Sequence, residues 1–197
     1  MKNTIKYLIL LIIYLVCGVN LQAQNYTFRN VVMSDGLSGL LVNAIYKDSE
    51  GFVWLGTDNC LDRFDGVKVR HYEFRGVDSG RKKRVNCITE TADNQLWVGN
   101  GIGLWRLNRA NGQLERIVPE KIDFAVNTLL PDGDILYIGT EKGLFIQKDG
   151  QLLQVLTDRN MLAACNRIMD LCLNEDKSAL WLATVQGLFS YSLKDGK

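Results

Sequence analysis

The only histidine in the sequence, His71, is the first residue to consider for chemistry. It lies between Arg70 and Tyr72 on an apolar-aromatic strand pattern and could act as a phospho-acceptor, a metal ligand or a general base. A second histidine, a kinase-type glutamate and a nucleotide-binding glycine loop are all missing around it, and no nucleophile-elbow, P-loop or zincin motif occurs. We therefore expect a strand-surface histidine, no enzyme activity, no catalytic or metal-binding residues and no cofactor.

Four cysteines follow residue 23, and none of them forms a C-x-x-C pair: Cys60, Cys87, Cys165 and Cys172. Zinc-ribbon or thioredoxin-like chemistry is therefore unsupported. Each cysteine lies in or beside an apolar strand pattern, which indicates small buried hydrophobes. A disulfide is the alternative, and the sequence does not name its pairing.

Other polar motifs have simpler structural explanations. Asp132-Gly133-Asp134 starts like a calcium loop but fails the ligand spacing, so it predicts a turn. The glycine-rich stretch 99–103 lies between two strands, whereas a phosphate cradle precedes a helix. The basic run 81–84 indicates a solvated loop, with contact to an anionic ligand as the alternative.

The first 23 residues have the pattern of a cleaved signal peptide. Lys2 and Lys6 precede an apolar run over 7–19, and Leu21-Gln22-Ala23 supplies a cleavage site. The alternative is a membrane-spanning helix, but the apolar run is shorter than the roughly 20 residues that such a helix needs. We therefore expect a periplasmic protein. The net charge of +1 falls to −1 without these two lysines, which argues against nucleic-acid binding.

One unit of sequence occurs four times after the signal peptide. Its aromatic anchors, spaced by 43, 40 and 44 residues, are Trp54, Trp97, Tyr137 and Trp181. Each unit divides into strand-sized pieces separated by Asp, Asn and Gly turn residues. A glycine or alanine follows each aromatic by two positions, where facing sheets must approach closely.

A period of this length with four strands per unit predicts β-propeller blades. The fold class is therefore all-β, with four four-stranded antiparallel repeats in an incomplete propeller or open arc. We place the blades at about 42–74, 85–118, 126–156 and 168–197, with a strand at 26–32 leading in and a partial propeller over 24–197. Uncovered blade faces at the two ends of the arc are expected to drive association.

The first unit resembles a known family. Asp35-Gly36-Leu37-Ser38, Val42-Asn43-Ala44-Ile45 and the segment 48–57 resemble the opening blade of two-component regulator propellers, and the match continues through 61–66. Asn59-Cys60 departs from the family's usual Asp-Gly. The resemblance implies the periplasmic sensor part of a hybrid two-component histidine kinase from glycan-degrading bacteria, here truncated. It also implies further propeller blades, a kinase module and a homodimer in the full-length protein.

We therefore expect a ligand-sensing propeller that responds to a carbohydrate, with an oligosaccharide as the ligand. The alternatives are a stand-alone periplasmic binding or scaffold propeller, and a truncated non-functional copy. Ligand contacts should come from the turns between second and third strands, which carry Asp58, Asn59, Asn100, Glu141, Lys142 and Gln186. Asn43, Asn86 and Asn127 recur at one offset near the propeller axis, where they either line a sugar channel or bond to the next blade.

Overall fold

A computed structural model of the protein describes residues 3–7, 9, 27–76, 83–117, 124–155 and 167–194. The chain divides into two compact units, Met1–Asn30 and Val31–Lys197. In the first unit, residues 3–7 and 9 are helical and residues 27–30 have no regular structure. Among the described residues, no helix has the length and apolar character needed to cross a membrane. Most of the predicted signal peptide lies outside the described residues.

The second unit begins with a short 3₁₀ turn, Met33–Asp35, and continues as antiparallel sheets with strands in sequence order. The first sheet contains β1 (Val42–Lys47), β2 (Val53–Thr57), β3 (Leu61–Phe64) and β4 (Val69–Tyr72). The second sheet contains β5 (Val85–Glu90), β6 (Leu96–Asn100), β7 (Gly103–Asn108) and β8 (Gln113–Arg116). Each of these sheets is an antiparallel meander, because short turns join strands that are neighbours in the sheet.

The third and fourth sheets repeat this order. The third contains β9 (Val126–Asp132), β10 (Ile135–Thr140), β11 (Gly143–Lys148) and β12 (Gln151–Gln154). The fourth contains β13 (Ile168–Leu173), β14 (Ala179–Thr184) and β15 (Gly187–Ser192). The all-β blade architecture predicted from the repeat is thus confirmed.

The fourth sheet has three strands within the described residues 167–194, one fewer than each of the other sheets. One detail differs from the sequence prediction. The strand predicted over 26–32 is wrong for residues 27–32, which form no strand. An apolar alternation alone does not make a strand, because a strand also needs a partner for its backbone groups.

The blades are joined by apolar cores that form between consecutive sheets. Three clusters of buried side chains lie between the first and second, second and third, and third and fourth sheets. The innermost strands β1, β5, β9 and β13 lie side by side in that order. No cluster of described residues connects the fourth sheet to the first, so this unit is an open arc.

Exposure of the repeated aromatic follows from this arrangement. Trp54, Trp97 and Tyr137 are 1%, 6% and 4% exposed because the next blade covers each of them. Trp181, in the last described blade, is 43% exposed. At the other end of the arc, Ile45 of β1 is 72% exposed. The arc therefore presents one uncovered apolar blade face at each end.

Candidate functional site

The loops that enter each blade and the turns between its second and third strands meet at one end of the arc. Backbone hydrogen bonds connect the two segments in three blades: Gly101 donates to Arg84 (3.2 Å), Glu141 to Ala125 (3.1 Å) and Val185 to Arg167 (3.3 Å). This end therefore gathers polar residues from several blades around the innermost strands.

A cleft of about 380 Å³ opens at this end. Its polar lining comes from the innermost strands, the blade-entering loops and one second-to-third-strand turn: Asn43, Arg84, Asn86, Asn127, Glu141 and Arg167. We call this the axial cleft. Its volume is that of a small-molecule binding site.

The three asparagines reach the axial cleft because each lies at a bulge. The pairing of β1 with β2 skips Asn43, that of β5 with β6 skips Asn86, and that of β9 with β10 skips Asn127. A bulge inserts an unpaired residue and re-aims its side chain. The recurring offset seen in the sequence is therefore the bulge position, and the fourth blade has Met169 there.

Two of these asparagines bond to the next blade, which confirms the structural alternative for them. Asn86 donates from Nδ2 to the Val126 carbonyl at 2.9 Å, and Asn127 donates to the Ile168 carbonyl at 2.8 Å. Each bond uses one of the two N–H groups of the side-chain amide. Asn43 differs, because its Nδ2 is buried and has no hydrogen-bond partner within the described part of the chain.

Among the described residues, the charged groups that line the axial cleft are two arginines and one glutamate. Arg167 Nη2 lies 3.8 Å from Glu141 Oε1, and both side chains are about half exposed. Such an exposed pair contributes little to stability. Arg84 belongs to the basic run predicted to be a solvated loop or an anion contact, and Arg167 was not singled out. The described lining of the cleft therefore has a small excess of positive charge.

The predicted ligand-binding residues are not brought together by the structure. Of the six, only Glu141 lines the axial cleft. Asn59 instead donates from Nδ2 to the Ser38 carbonyl at 2.6 Å, and with Asp58 it forms the turn of the first blade. Lys142 and Gln186 occupy the corresponding turns of the third and fourth blades, where their backbone nitrogens bond to threonine hydroxyls.

The ligand contact expected at Asn100 stays a prediction. This residue is completely buried, and its Oδ1 accepts hydrogen bonds from Ile102 N at 3.0 Å and Trp105 Nε1 at 3.2 Å. It closes the turn from inside, as Thr140 does in the third blade through its hydroxyl. Asparagine at this position satisfies buried groups of its own blade.

A second cluster, which sequence reasoning missed, lies in the first blade. His71 Nδ1 is 2.7 Å from Asp62 Oδ1, and Cys60 Sγ donates to the same oxygen at 3.2 Å. Asp62 is completely buried, whereas the His71 side chain is 48% exposed. The placement of His71 on a strand was foreseen, and its pairing with a buried carboxylate was not. The sequence signal that could have revealed this pair is the hairpin pattern, which places His71 opposite Asp62.

This cluster is not arranged for nucleophilic catalysis. A cysteine nucleophile needs a base that takes its proton, usually a histidine, with the acid behind that histidine. Here the carboxylate lies between the thiol and the imidazole. Burial also raises the pKa of the Cys60 thiol to about 12, which keeps it protonated at neutral pH.

The cysteines otherwise follow the expectation of unpaired thiols. Cys60, Cys87 and Cys172 are free, and Cys165 lies outside the described residues. Burial raises the pKa of the Cys87 thiol as well. Cys172 is exposed on β13, so the prediction of a buried hydrophobe is wrong for it.

Comparisons with known proteins agree with the repeat and the fold. Residues 36–59 match the family described as Two component regulator propeller. A histidine kinase of Formosa agariphila is 32% identical over 79 residues, which are 40% of this chain and 6% of the kinase.

Two solved structures of extracellular domains of hybrid two component systems from B. thetaiotaomicron share the fold. The first has a TM-score of 0.72 and is 22% identical in sequence. The match covers 86% of this chain and 25% of the chain in that structure. The second has a TM-score of 0.62 and is 27% identical in sequence. The match covers 76% of this chain and 20% of the chain in that structure. This chain thus spans a small part of each relative. The resemblance to two component regulator propellers that the repeat motifs indicated is confirmed by these matches.

Proposed function

We propose that this chain is part of the periplasmic sensor propeller of a two-component signalling protein and that it binds an oligosaccharide in the axial cleft. The family match over 36–59 and the extracellular domains that share its fold support the sensor role. A kinase module and further propeller blades would lie elsewhere in the full-length protein, which could act as a homodimer. The propeller itself would bind its ligand without catalysis.

The unpartnered amide of Asn43 is the observation that carries the location of the ligand site. A buried N–H group without an acceptor costs free energy, and a ligand oxygen that accepts from it recovers that cost. Sugar hydroxyls both donate and accept hydrogen bonds. They could therefore accept from Asn43 and donate to the amide oxygens of Asn86 and Asn127 in the same cleft.

The two arginines bear on the charge of the oligosaccharide. Within the described lining of the axial cleft, Arg84 and Arg167 are accompanied by one acidic residue, Glu141. Arginine binds carboxylate and sulfate groups with two parallel hydrogen bonds. An acidic sugar should therefore bind more tightly than a neutral one of the same length.

Calorimetric titration of the chain with neutral and uronic-acid oligosaccharides tests this proposal. We expect Asn43→Ala to weaken binding by about 2- to 10-fold, the range for one hydrogen bond. Arg84→Ala should weaken binding of the acidic sugars only. Lys148→Ala is the control, because Lys148 is exposed at the far end of β11 and should leave the affinity unchanged.

Equal affinity of the wild-type protein and Asn43→Ala for every sugar that binds would contradict the axial cleft as the site. Absence of binding by any sugar would contradict the carbohydrate class. The signalling role has its own test, which is the reading frame after codon 197 in the gene. A kinase-coding frame supports the sensor, whereas a stop codon there supports a stand-alone binding propeller.

A further inference from the structure

The cluster of Cys60, Asp62 and His71 combines three different ligand atoms at one point of the first blade. Cys60 and Asp62 are two residues apart, so an extended chain places them on the same face. Asp62 of β3 lies directly opposite His71 of β4 in the hairpin register. Their sulfur, oxygen and nitrogen atoms all lie within 4.8 Å of one another. We call this the thiol–carboxylate–imidazole cluster.

Hydrogen bonds from behind hold the central carboxylate in place. Ser38 donates to Asp62 Oδ2 from both its backbone nitrogen and its hydroxyl, each at 2.8 Å. The other oxygen, Oδ1, faces Cys60 and His71. An outer partner of this kind, which orients a carboxylate from its far side, is typical of metal sites.

The other blades have unrelated residues at these three positions. Sheet register aligns Cys60, Asp62 and His71 with Gly103, Trp105 and Arg116 in the second blade, and with Gly143, Phe145 and Gln154 in the third. The aromatic residues at the central position are buried core residues. The fold therefore does not require a carboxylate there, and the first blade places a charged group where its neighbours place a hydrophobe.

We propose that the thiol–carboxylate–imidazole cluster binds one Zn²⁺ ion. Cysteine sulfur, histidine nitrogen and carboxylate oxygen are the ligands that zinc takes in proteins, at about 2.3, 2.0 and 2.1 Å. Tetrahedral ligand atoms bound at about 2.1 Å lie about 3.4 Å apart. The observed separations from Asp62 Oδ1 are 3.2 Å to Cys60 Sγ and 2.7 Å to His71 Nδ1, and the sulfur and the ring nitrogen lie within 4.8 Å of each other.

The charge balance of the cluster also suits a divalent cation. Binding replaces the Cys60 thiol proton, which leaves to solvent, and places the His71 ring proton on Nε2. The thiolate and the Asp62 carboxylate together neutralise the two positive charges of the ion, so a neutral site results. A neutral site is what a completely buried carboxylate and a buried thiol require.

The fourth coordination position would face a separate cleft of about 300 Å³ beside the cluster. Asn59, Glu73 and Lys83 contribute polar groups to this cleft. The half-exposed His71 side chain gives the ion a route from solvent. Three protein ligands with one open position are the arrangement that accepts water or an exogenous ligand.

Cobalt titration of the chelator-stripped, reduced chain tests the site. We expect one equivalent of Co²⁺ to give a thiolate-to-cobalt charge-transfer band, and one equivalent of Zn²⁺ to abolish it. Cys60→Ser should lose the charge-transfer band, and His71→Gln should weaken Zn²⁺ binding by about 10-fold or more. Cys172→Ser is the matched control, because it removes an exposed thiol from the fourth blade and should change neither result.

The absence of a charge-transfer band in the wild-type chain would overturn the proposal. So would an unchanged band and affinity in both Cys60→Ser and His71→Gln, since the ion would then lie elsewhere. If Cys60→Ser does not fold, His71→Gln alone decides between these outcomes, because the His71 side chain is half exposed and a glutamine amide can still donate a hydrogen bond to Asp62.

Discussion

Substitution of Gly56 by alanine should separate the first and second blades. Gly56 lies on β2, two residues after Trp54, and faces the first strand of the next blade. A Cβ atom at this position would lie 2.5 Å from Val85 Cγ1, 2.9 Å from Val85 Cβ and 3.1 Å from Ala44 Cβ. Contacts below 3 Å between a Cβ atom and a carbon atom to which it is not bonded essentially never occur in proteins, so the neighbouring atoms must shift.

The neighbours of Gly56 have little freedom to adapt. Val85 is completely buried, and its branched side chain has few rotamers available. Ala44 has no rotamers at all. Overpacking of this kind costs about 1–3 kcal/mol, and replacement of a strand glycine returns about 0.5–1 kcal/mol. The net loss in the free energy of unfolding should therefore be about 1–2 kcal/mol.

Urea denaturation followed by circular dichroism would measure this loss, with a double-mutant cycle to locate it. Val85→Ala alone removes two buried methyl groups, worth about 1.6 kcal/mol. In the double variant the methyl group added at Gly56 fills part of that space, so we expect a favourable coupling of about 1 kcal/mol. The rescue should be partial, because the two Cβ atoms still lie 2.9 Å apart.

The fourth blade supplies a matched control, because it has Ala183 at the position of Gly56. The neighbouring Trp181 is 43% exposed, so no described blade covers this face. Ala183→Gly should relieve no clash and cost about 0.5–1 kcal/mol. A stability of Gly56→Ala within about 0.5 kcal/mol of wild type, or strict additivity in the cycle, would refute close blade contact as the reason for glycine.

Four further predictions follow from the blade contacts. Trp97→Ala should lower the free energy of unfolding by about 3–5 kcal/mol, whereas Trp181→Ala, already exposed, should cost less than half as much in the same denaturation assay. Asn86→Ala should cost about 1–3 kcal/mol by leaving a carbonyl of the next blade unpaired, and Asn43→Ala should cost less because its amide nitrogen has no partner. Burial raises the pKa of the Tyr137 hydroxyl in the folded protein. The contribution of Tyr137 to the free energy of unfolding is therefore complete below about pH 10 and is lost as the pH rises through the folded-state pKa. Tyr137→Phe should reduce this alkaline loss of stability in urea titrations. Light scattering after size-exclusion chromatography should detect association through the uncovered end faces, and a stable monomer at all concentrations would contradict it.

Much of the fold could be predicted because its determinants are local. Alternating apolar residues set the strands, and Asp, Asn and Gly residues set the turns, as at Gly66 and Gly112, which have positive φ angles. Repetition made these signals reliable, since a chance pattern would not recur four times. The prediction failed over 27–32, where the residues form no strand.

The candidate sites were less predictable because they depend on which strands meet. The amides of Asn43 and Asn86 look alike in sequence, yet only the second reaches a carbonyl of the next blade. Asn100 has the residue type of a ligand contact and the burial of a core residue. Polarity alone does not reveal whether a side chain will meet solvent or a buried partner.

The sequence by itself thus determined the repeating unit, its strands and turns, and the glycine positions of close approach, since each follows from backbone preference and periodicity within about 40 residues. Tertiary structure decided which faces are covered, which amides are satisfied and that Cys60 and His71 share the oxygen of Asp62. The physical reason is that hydrogen bonding and burial are properties of pairs of groups. Strand register brings Asp62 and His71 together within one hairpin, whereas blade packing joins groups 40 residues apart in sequence, as in the bond from Asn86 to Val126.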